Sequence, residues 1–376
     1  MIYCSKCLMP DTKPYISFNE YGVCAACQAS RRKVDIVNGI DWDKRANEFD
    51  KIVLHARSKQ APFYDVLVPV SGGKDSITQV HRLLKYHLRI LAVNVDYGIK
   101  TDIGKYNLEC IPRNMGVNLQ IYRPNLALHK KLIRIGFEEY GDPDLLSHTM
   151  LHGYPLRVAL AYQIPLVVLG ENSAFEYGGE QSISKLNSIN REWFLKYAAN
   201  SGKDAAYVSK KYDIPMNDLV MYDFPDELEN SGTKTVFSSF YFFWDSEKHL
   251  QIAKKYGFQE LDSPREGTYR TYVGIDEKIN RIHQYFKVLK FGYGRATDHA
   301  CEDIRNGKIS RDEAKKLVKQ YDLDPVSDEY VNDFCNFIDI SVDRFLEVQD
   351  SFRNLSIWEQ NSWGDWYIPG HLEDDI

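Results

Sequence analysis

Short apolar runs alternate with amphipathic stretches between residues 64 and 172. The runs predict buried strands over 64–70, 89–98, 118–124 and 165–172. The stretches between them predict helices over 75–87, 101–115, 125–139 and 150–162. Strands that alternate with helices in this way imply a parallel sheet covered on both faces, so we predict an α/β fold.

The segments on either side of this alternation have other patterns. Residues 41–59 carry apolar residues at helical spacing, which predicts an amphipathic linker helix. After Asn172 the alternation stops, and residues 173–265 are expected to form an insertion or lid, with an aromatic run that packs in the core or forms a substrate wall. From 271 to about 352 the pattern is helical. We therefore predict three regions, which cover residues 1–40, 41–265 and 266–376.

The overall charge and hydropathy argue against two classes of protein. The formal net charge of −6 disfavours a broad nucleic-acid-binding face, which needs a surplus of Lys and Arg. No apolar run approaches the ~18 residues of a membrane span. The amino terminus, "MIYCSKCLMP", lacks the basic-then-apolar plan of a signal peptide. We expect a soluble cytoplasmic protein.

Four of the seven cysteines form two C-x-x-C pairs near the amino terminus: Cys4 with Cys7, and Cys24 with Cys27. In a cytoplasmic protein such clustered thiols are metal ligands more often than disulfides, and four of them satisfy tetrahedral Zn²⁺. The alternative is a redox pair, but a redox C-x-x-C normally opens a helix after a strand, whereas each pair here sits in a turn-rich segment. We predict a structural zinc knuckle with no coordination position left for water.

The sequence S-G-G-K-D-S follows the first predicted strand and precedes a helix. It differs from the loop G-x-x-x-x-G-K-[S/T], because Val68 takes the first glycine position and Asp75 takes the Ser or Thr position. Glycines let backbone N–H groups close around an anion, and the helix amino terminus adds its positive end. We predict a phosphate site formed by Ser71, Gly72, Gly73, Lys74, Asp75 and Ser76. Both serine hydroxyls are expected to donate to phosphate, and Asp75 to cap the helix or hold Mg²⁺.

In this context the loop resembles that of the PP-loop ATP pyrophosphatases, whose sheet is of the adenine nucleotide alpha hydrolase-like type. The resemblance implies that ATP is cleaved between its α and β phosphates, that pyrophosphate stays in the loop and that AMP is transferred to a substrate oxygen. It also implies that the nucleoside lies along the second strand, where Asp96 would reach adenine or ribose; a local Asp-x-Gly turn is the alternative. Gly170, Glu171 and Asn172 end the fourth strand at the same edge. There Glu171 would hold Mg²⁺ or contact substrate, or else serve a local turn.

Several segments together resemble a narrower family, the N-acetyl sugar amidotransferases. They are YCSKCLMPDTKP with GVCAAC near the amino terminus, PVSGGKDS, GENSAFEYGGE, and LKFGYGRATDHACEDIRNGKISRDEAKKLVKQYD. The resemblance implies an ATP-dependent enzyme of bacterial surface-polysaccharide (O-antigen) and flagellin-sugar synthesis. It would turn the acetamido group of a nucleotide-linked sugar into an acetamidino group. Ammonia would come from a separate glutaminase, often with a cyclase-like subunit.

The last of these segments supplies charged candidates for the reaction. Lys290 and Arg295 would clamp pyrophosphate or the diphosphate of the substrate. His299, beside Asp298, would move protons at the amination step. The alternative is a turn at the start of a helix, with Asp298 as its cap and Arg295 in a surface ion pair. Two further carboxylates would bind sugar hydroxyls or else serve their own loop: Glu176 and Glu180.

A tRNA-modifying sulfurtransferase of the PP-loop type is the alternative function. Such enzymes also carry zinc knuckles, but they usually depend on reactive or cluster-binding cysteines, whereas Cys110, Cys301 and Cys335 are isolated. The acidic charge also disfavours tRNA. A glutaminase of the amino-terminal nucleophile type needs a processed amino-terminal Cys, while this chain starts Met1-Ile2, so we expect no ammonia source of its own.

Overall fold

The computed structural model describes residues 1–35, 39–198 and 200–373. Three short stretches lie outside the described residues: 36–38 in the predicted knuckle region, 199 in the predicted insertion, and 374–376 at the end of the predicted helical region.

One sheet of five parallel strands forms the centre of the described chain. Its strands are β1 Val66–Pro69, β2 Ile90–Val95, β3 Asn118–Tyr122, β4 Leu166–Leu169 and β5 Lys234–Phe237. Their spatial order is β3-β2-β1-β4-β5, and every neighbouring pair is parallel. The chain builds outward from β1 to β3 on one side and then returns to add β4 and β5 on the other. The direction in which successive strands are added therefore reverses between β1 and β4, which are neighbours in the sheet.

Helices make up most of the remaining described chain. Those up to residue 254 are α1 Ala25–Val34, α2 Trp42–Ser58, α3 Lys74–Leu84, α4 Asp102–Met115, α5 Leu126–Tyr140, α6 Met150–Ala161, α7 Ser173–Tyr177, α8 Gln181–Ser184, α9 Arg191–Tyr197, α10 Ala205–Tyr212, α11 Met216–Leu219, α12 Ser238–Tyr241 and α13 Ser246–Lys254. Those after residue 279 are α14 Asn280–Phe291, α15 Arg295–Arg305, α16 Arg311–Tyr321, α17 Asp328–Ile338 and α18 Val342–Ser351. Two 3₁₀ helices, Val220–Tyr222 and Asp226–Asn230, and an antiparallel pair, β6 Glu359–Gln360 with β7 Trp366–Tyr367, complete the described elements. No described helix combines the length and the apolar character needed to cross a bilayer.

The central strands β1, β2 and β4 are buried on both faces, and alternate residues of each strand point to opposite sides of the sheet. On one face the strands contribute a set that packs with α6: Leu67, Leu91, Val93, Val167 and Leu169. On the other face they contribute a set that packs with α3: Val66, Val68, Ala92, Leu166 and Val168. The predicted α/β fold with a parallel sheet and a helical carboxy-terminal region is confirmed. Packing on both faces fixes the strand ends from which the site is built.

Part of residues 173–265, the stretch expected to be an insertion or lid, belongs to the sheet and its covering layer. It supplies β5, whose Phe237 pairs in register with Leu169 of β4, and α13, which packs on α3. This strand is hard to predict because it has only four residues and runs directly into α12 within the aromatic run. Tyr241 of that run is 2% exposed, which fits the core-packing alternative. The helix predicted from 271 begins only at Asn280.

The amino-terminal knuckle packs on the carboxy-terminal helices. Cys4, Cys7 and Cys24 share one buried cluster with Ala300 of α15 and Val318 of α16. Helices α14 and α17 in turn form a second cluster with α5, which covers the sheet. The carboxy-terminal region is therefore held against the sheet and the knuckle together, and it can contribute side chains to the edge of the sheet.

Candidate active site

The carboxyl ends of β1, β2 and β4 open into a cavity of about 710 Å³. The chain leaves β1 and β4 toward opposite halves of the sheet, and the crevice between such loops is where open α/β sheets bind ligands. The cavity is lined by the residues of 71–76 other than Gly72, by residues 169–171, by Arg270 and residues 272–277, and by parts of α14 and α15. Its volume falls within the range of roughly 300–1,000 Å³ typical of small-molecule sites.

The phosphate loop has the backbone geometry that an anion site requires. Gly72 has φ +93°, and a Cβ there would lie 2.7 Å from the backbone nitrogen of Leu108, so only glycine fits. Gly73 is the N-cap of α3 and no side chain caps the helix, which leaves the first amide groups available to a ligand. Ser71 Oγ accepts a hydrogen bond from Gly73 N (3.1 Å) and keeps its own proton free to donate. Ser76 Oγ instead donates to the Gly73 carbonyl (2.9 Å), so its hydroxyl proton is already used.

Asp75 is held by two neighbours and does not cap the helix. Its carboxylate lies 2.7 Å from Lys74 Nζ and 2.7 Å from His249 Nδ1. Burial alone would raise the pKa of Asp75, but the Lys74 ammonium and the His249 hydrogen bond outweigh it and lower the pKa below its usual range. Asp75 is therefore a charged carboxylate at the edge of the cavity. Of the two expected roles, the geometry leaves only cation binding open to it.

Glu171 lines the cavity just past the end of β4. Burial, followed by the negative charge of Asp75, raises the pKa of Glu171 from 4.5 to about 7. A carboxyl group with this pKa exchanges protons readily near neutral pH. The pair of Asp75 and Glu171 is also suited to Mg²⁺, since carboxylate oxygens are its ligands and a cation would relieve the repulsion between the two groups.

Three of the predicted charged residues of α15 reach the same cavity. Arg295 lines it and makes no hydrogen bond or ion pair with the part of the chain that the structure describes, and burial lowers its pKa. His299 Nδ1 lies 2.9 Å from the hydroxyl of Thr268. Burial and the charges of Arg270 and Arg295 lower the pKa of His299 well below 6.5, so its ring is neutral. Asp298 pairs with Lys287 within the helical region, and not with the helix end as a cap.

Besides Gly72 of the loop, three predicted site residues lie outside the cavity wall. Lys290 Nζ donates to the Tyr140 carbonyl (3.3 Å). Asp96 Oδ1 accepts from Gly98 N (3.0 Å), which is the local turn that the sequence left as the alternative. Asn172 caps α7 and, with 1% exposure, accepts a hydrogen bond from Trp193 Nε1 (3.1 Å). Asp96 and Asn172 stabilise the loops beside the cavity, and Lys290 anchors α14 to the end of α5.

The two carboxylates considered for sugar hydroxyls are bound to lysines elsewhere. Glu176 forms an ion pair with Lys33 of α1 (2.5 Å), and both side chains are less than 10% exposed. Glu180 pairs with Lys196 of α9 (2.9 Å). The first pair joins α7, which follows β4, to α1. The geometry therefore favours a role in stabilising the local structure for both carboxylates.

Trp244 lines the cavity and belongs to the aromatic run for which a substrate wall was one of the two expectations. Sequence reasoning missed other residues of the wall because they come from distant parts of the chain. Trp193 is one of them. His283 of α14 also lines the cavity, with Nδ1 2.8 Å from Asp142, and the Asp142 charge raises its pKa against the effect of burial. Burial and the charge of Asp144 raise the pKa of the neighbouring Glu277 to about 8. No local motif surrounds Trp193, His283 or Glu277, so no signal in the sequence distinguishes them.

The four paired cysteines converge into one group away from this cavity. The Sγ atoms of Cys4 and Cys27 lie 3.9 Å apart, those of Cys7 and Cys24 lie 3.8 Å apart, and all four lie within 4.8 Å of one another. A tetrahedral zinc with Zn–S bonds of about 2.3 Å needs sulfur separations of about 3.8 Å. The amide of Cys24 also donates to Cys4 Sγ (3.2 Å), which favours a thiolate. The donor set and its spacing fit zinc.

The carboxy-terminal part of the chain matches a protein family. Residues 266–369 match the family described as LPS biosynthesis protein WbpG-like, C-terminal domain. The matched segment contains Arg270, Arg295 and His299, which line the same cavity as the phosphate loop. A comparison with curated proteins gives no match.

Three solved structures are similar to this chain at low identity. One is described as a predicted subunit of tRNA methyltransferase from Methanocaldococcus jannaschii, with 11% identity over 59% of this chain and 85% of that one and a TM-score of 0.29. An NH3-dependent NAD synthetase from Campylobacter jejuni has 14% identity over 52% of this chain and 94% of that one, with a TM-score of 0.28. An NMN synthetase from Francisella tularensis has 13% identity over 58% of this chain and 93% of that one, with a TM-score of 0.29. These TM-scores are too low to carry an argument about activity.

Proposed function

The WbpG-like domain supports the N-acetyl sugar amidotransferase family that the sequence motifs predict, and we propose that the chain is an ATP-dependent amidotransferase of surface-polysaccharide synthesis. One observation carries the proposal. Arg270, Arg295 and His299 of the matched domain line the same cavity as the phosphate loop. A domain found in lipopolysaccharide biosynthesis and a loop built for pyrophosphate therefore share one site.

The proposed reaction converts an acetamido group into an acetamidino group. An amide resists ammonia because its oxygen is a poor leaving group. The acetamido oxygen would attack the α phosphorus of ATP, and the bond from that phosphorus to the bridging oxygen would break as pyrophosphate leaves. Ammonia would then add to the activated carbon and lose one proton to a base. The carbon–oxygen bond would break as AMP leaves, which gives the amidinium product.

The cavity residues divide naturally between charge stabilisation and proton transfer. The open amides of the loop, with Lys74 and Arg295, would stabilise the charge that develops on pyrophosphate. Glu171, with a pKa of about 7, would accept the proton that ammonia loses. His299 is neutral among cations, so we assign it a hydrogen-bonding role toward the substrate and not the role of the base.

Two metal ions belong to the proposal. Asp75 would hold Mg²⁺, which supplies additional neutralisation of phosphate charge when bound. Cys4, Cys7, Cys24 and Cys27 would hold Zn²⁺, which organises the knuckle against α15 and α16.

We further propose that a nucleotide-linked N-acetyl sugar is the acceptor and that the reaction takes place in the cytoplasm. A separate glutaminase, acting with a cyclase-like subunit, would deliver ammonia.

The decisive experiment measures which product receives the oxygen of the acetamido carbonyl. The purified chain is incubated with ATP, Mg²⁺, ammonium and nucleotide-linked N-acetyl sugars whose acetamido carbonyl carries ¹⁸O. We expect AMP and pyrophosphate, with the label in AMP, and no reaction when glutamine replaces ammonium. Formation of ADP, or label that remains in the sugar product, would contradict the mechanism. A parallel filter-binding measurement at physiological salt tests the tRNA-modifying alternative, which requires tRNA to be retained.

A further inference from the structure

His249 of α13 connects the phosphate loop to a second layer of the site. Its Nδ1 lies 2.7 Å from Asp75 Oδ1, and its Nε2 lies 3.2 Å from Arg82 Nη2. The residue is 1% exposed. An arginine side chain can only donate hydrogen bonds, so Nε2 must accept. The ring proton is therefore on Nδ1, which donates to the Asp75 carboxylate.

Three further contacts fix the position of this ring. Arg82 Nη1 donates to Ser238 Oγ at the end of β5 (2.8 Å), which holds the guanidinium in place. Trp244 packs edge-on against the His249 ring with centroids 4.6 Å apart. The hydroxyl of Thr78 lies 3.2 Å from the His249 carbonyl and joins α13 to α3. The ring has little freedom to turn away from Asp75.

We infer that His249 is a positioning residue that holds the Asp75 carboxylate fixed in orientation at the edge of the cavity. One oxygen of Asp75 is bound by the histidine, and the other lies 2.7 Å from Lys74 Nζ and faces the loop. A carboxylate held in this way does not have to reorganise when a phosphate and its cation enter. The role assigned to Asp75 rests on the proposed function. The chain of contacts from Ser238 through Arg82 and His249 to Asp75 is observed in the structure and does not depend on that function.

Replacing His249 by Ala and by Asn tests this role. Asn places a side-chain N–H near the position of Nδ1 and should still bind Asp75, whereas Ala removes the donor. We expect His249→Ala to slow AMP formation by about 10- to 100-fold, the effect of losing a hydrogen bond to a charged group, and to raise the Mg²⁺ concentration needed for half-maximal rate. His249→Asn should recover most of the loss. A rate for His249→Asn as low as that of His249→Ala, or a wild-type rate for His249→Ala, would overturn the inference.

A matched control is available on α3, the helix that carries Asp75. His81 belongs to α3, and its Nδ1 contacts Tyr256 OH (2.7 Å) in the segment after α13, but it does not line the cavity. His81→Ala should leave the rate and the Mg²⁺ dependence close to those of the wild type. An equal loss in His81→Ala and His249→Ala would assign the effect to packing between α3 and α13 and overturn the positioning role.

Two measurements separate this inference from the proposed function. Mg²⁺-dependent binding of α,β-methylene-ATP, followed by calorimetry, requires no sugar and no turnover, and it should weaken in His249→Ala but not in His249→Asn. ¹⁵N NMR of histidine-labelled protein reads the tautomer without any ligand and should show the proton of His249 on Nδ1. A proton on Nε2 would overturn the inference even in an active enzyme. Absence of sugar-dependent AMP formation with the expected tautomer and binding pattern would refute the amidotransferase alone.

Discussion

Replacing Glu171 by Gln should stabilise the protein at alkaline pH while it slows the reaction. The pKa of Glu171 is raised from 4.5 to about 7, so ionisation costs more in the folded state than in the unfolded state. A group of this kind reduces stability as the pH rises from about 4.5 through 7. At 1.36 kcal/mol per pKa unit the full cost above pH 7 is about 3 kcal/mol, or roughly 2 kcal/mol if water in the cavity screens the charge.

Glutamine has the same shape as the acid and no charge, so it removes this cost. The free energy of unfolding, measured by urea denaturation, should be the same for Glu171→Gln and wild type near pH 4.5. It should be higher for the variant by about 2–3 kcal/mol at pH 8. The rate of amidine formation should fall by about 10²–10⁴-fold, because the amide cannot accept a proton.

Glu180 supplies the control for this prediction. It is a partly exposed carboxylate in an ion pair with Lys196, outside the cavity, so Glu180→Gln should leave the rate of amidine formation unchanged. A stability difference between wild type and Glu171→Gln that stays constant from pH 4.5 to 8 would refute the reasoning about the charge of Glu171. An unchanged rate would refute its role as the base.

Two further predictions concern the metal centre and the loop. Metal analysis of the purified chain should give about one equivalent of zinc, and Cys24→Ser should lose both the metal and much of the soluble protein; a full complement of zinc in that variant would contradict the four-cysteine site. Gly72→Ala should abolish most Mg²⁺-dependent ATP binding, because its Cβ would lie 2.7 Å from a backbone nitrogen at φ +93°. Gly116→Ala has a similar positive φ but open space around it, so calorimetry should show unchanged ATP binding there, and equal losses in both variants would assign the effect to strain alone.

Elements with strong local patterns could be predicted from the sequence. The first four strands were predicted because their apolar runs are bounded by turn residues, and the observed strands lie within the predicted ranges. The fifth strand was missed because four residues leading into an aromatic helix carry no periodic signal of their own. Its place beside β4 depends on hydrogen bonds to a strand more than sixty residues earlier, which no local pattern contains.

The same contrast holds for the candidate site. By itself the sequence determined which residues form two local groups, the loop S-G-G-K-D-S and the paired cysteines. The anion site and the zinc site predicted from them each depend on residues that are close together along the chain. Only the tertiary structure decided which distant side chains meet them. It brought His249 to Asp75 and Arg295 to the cavity, and it bound Lys290 to a carbonyl outside the wall. Burial and neighbouring charges then set the protonation of Glu171 and His299, and both effects depend on distances in space that the order of residues does not contain.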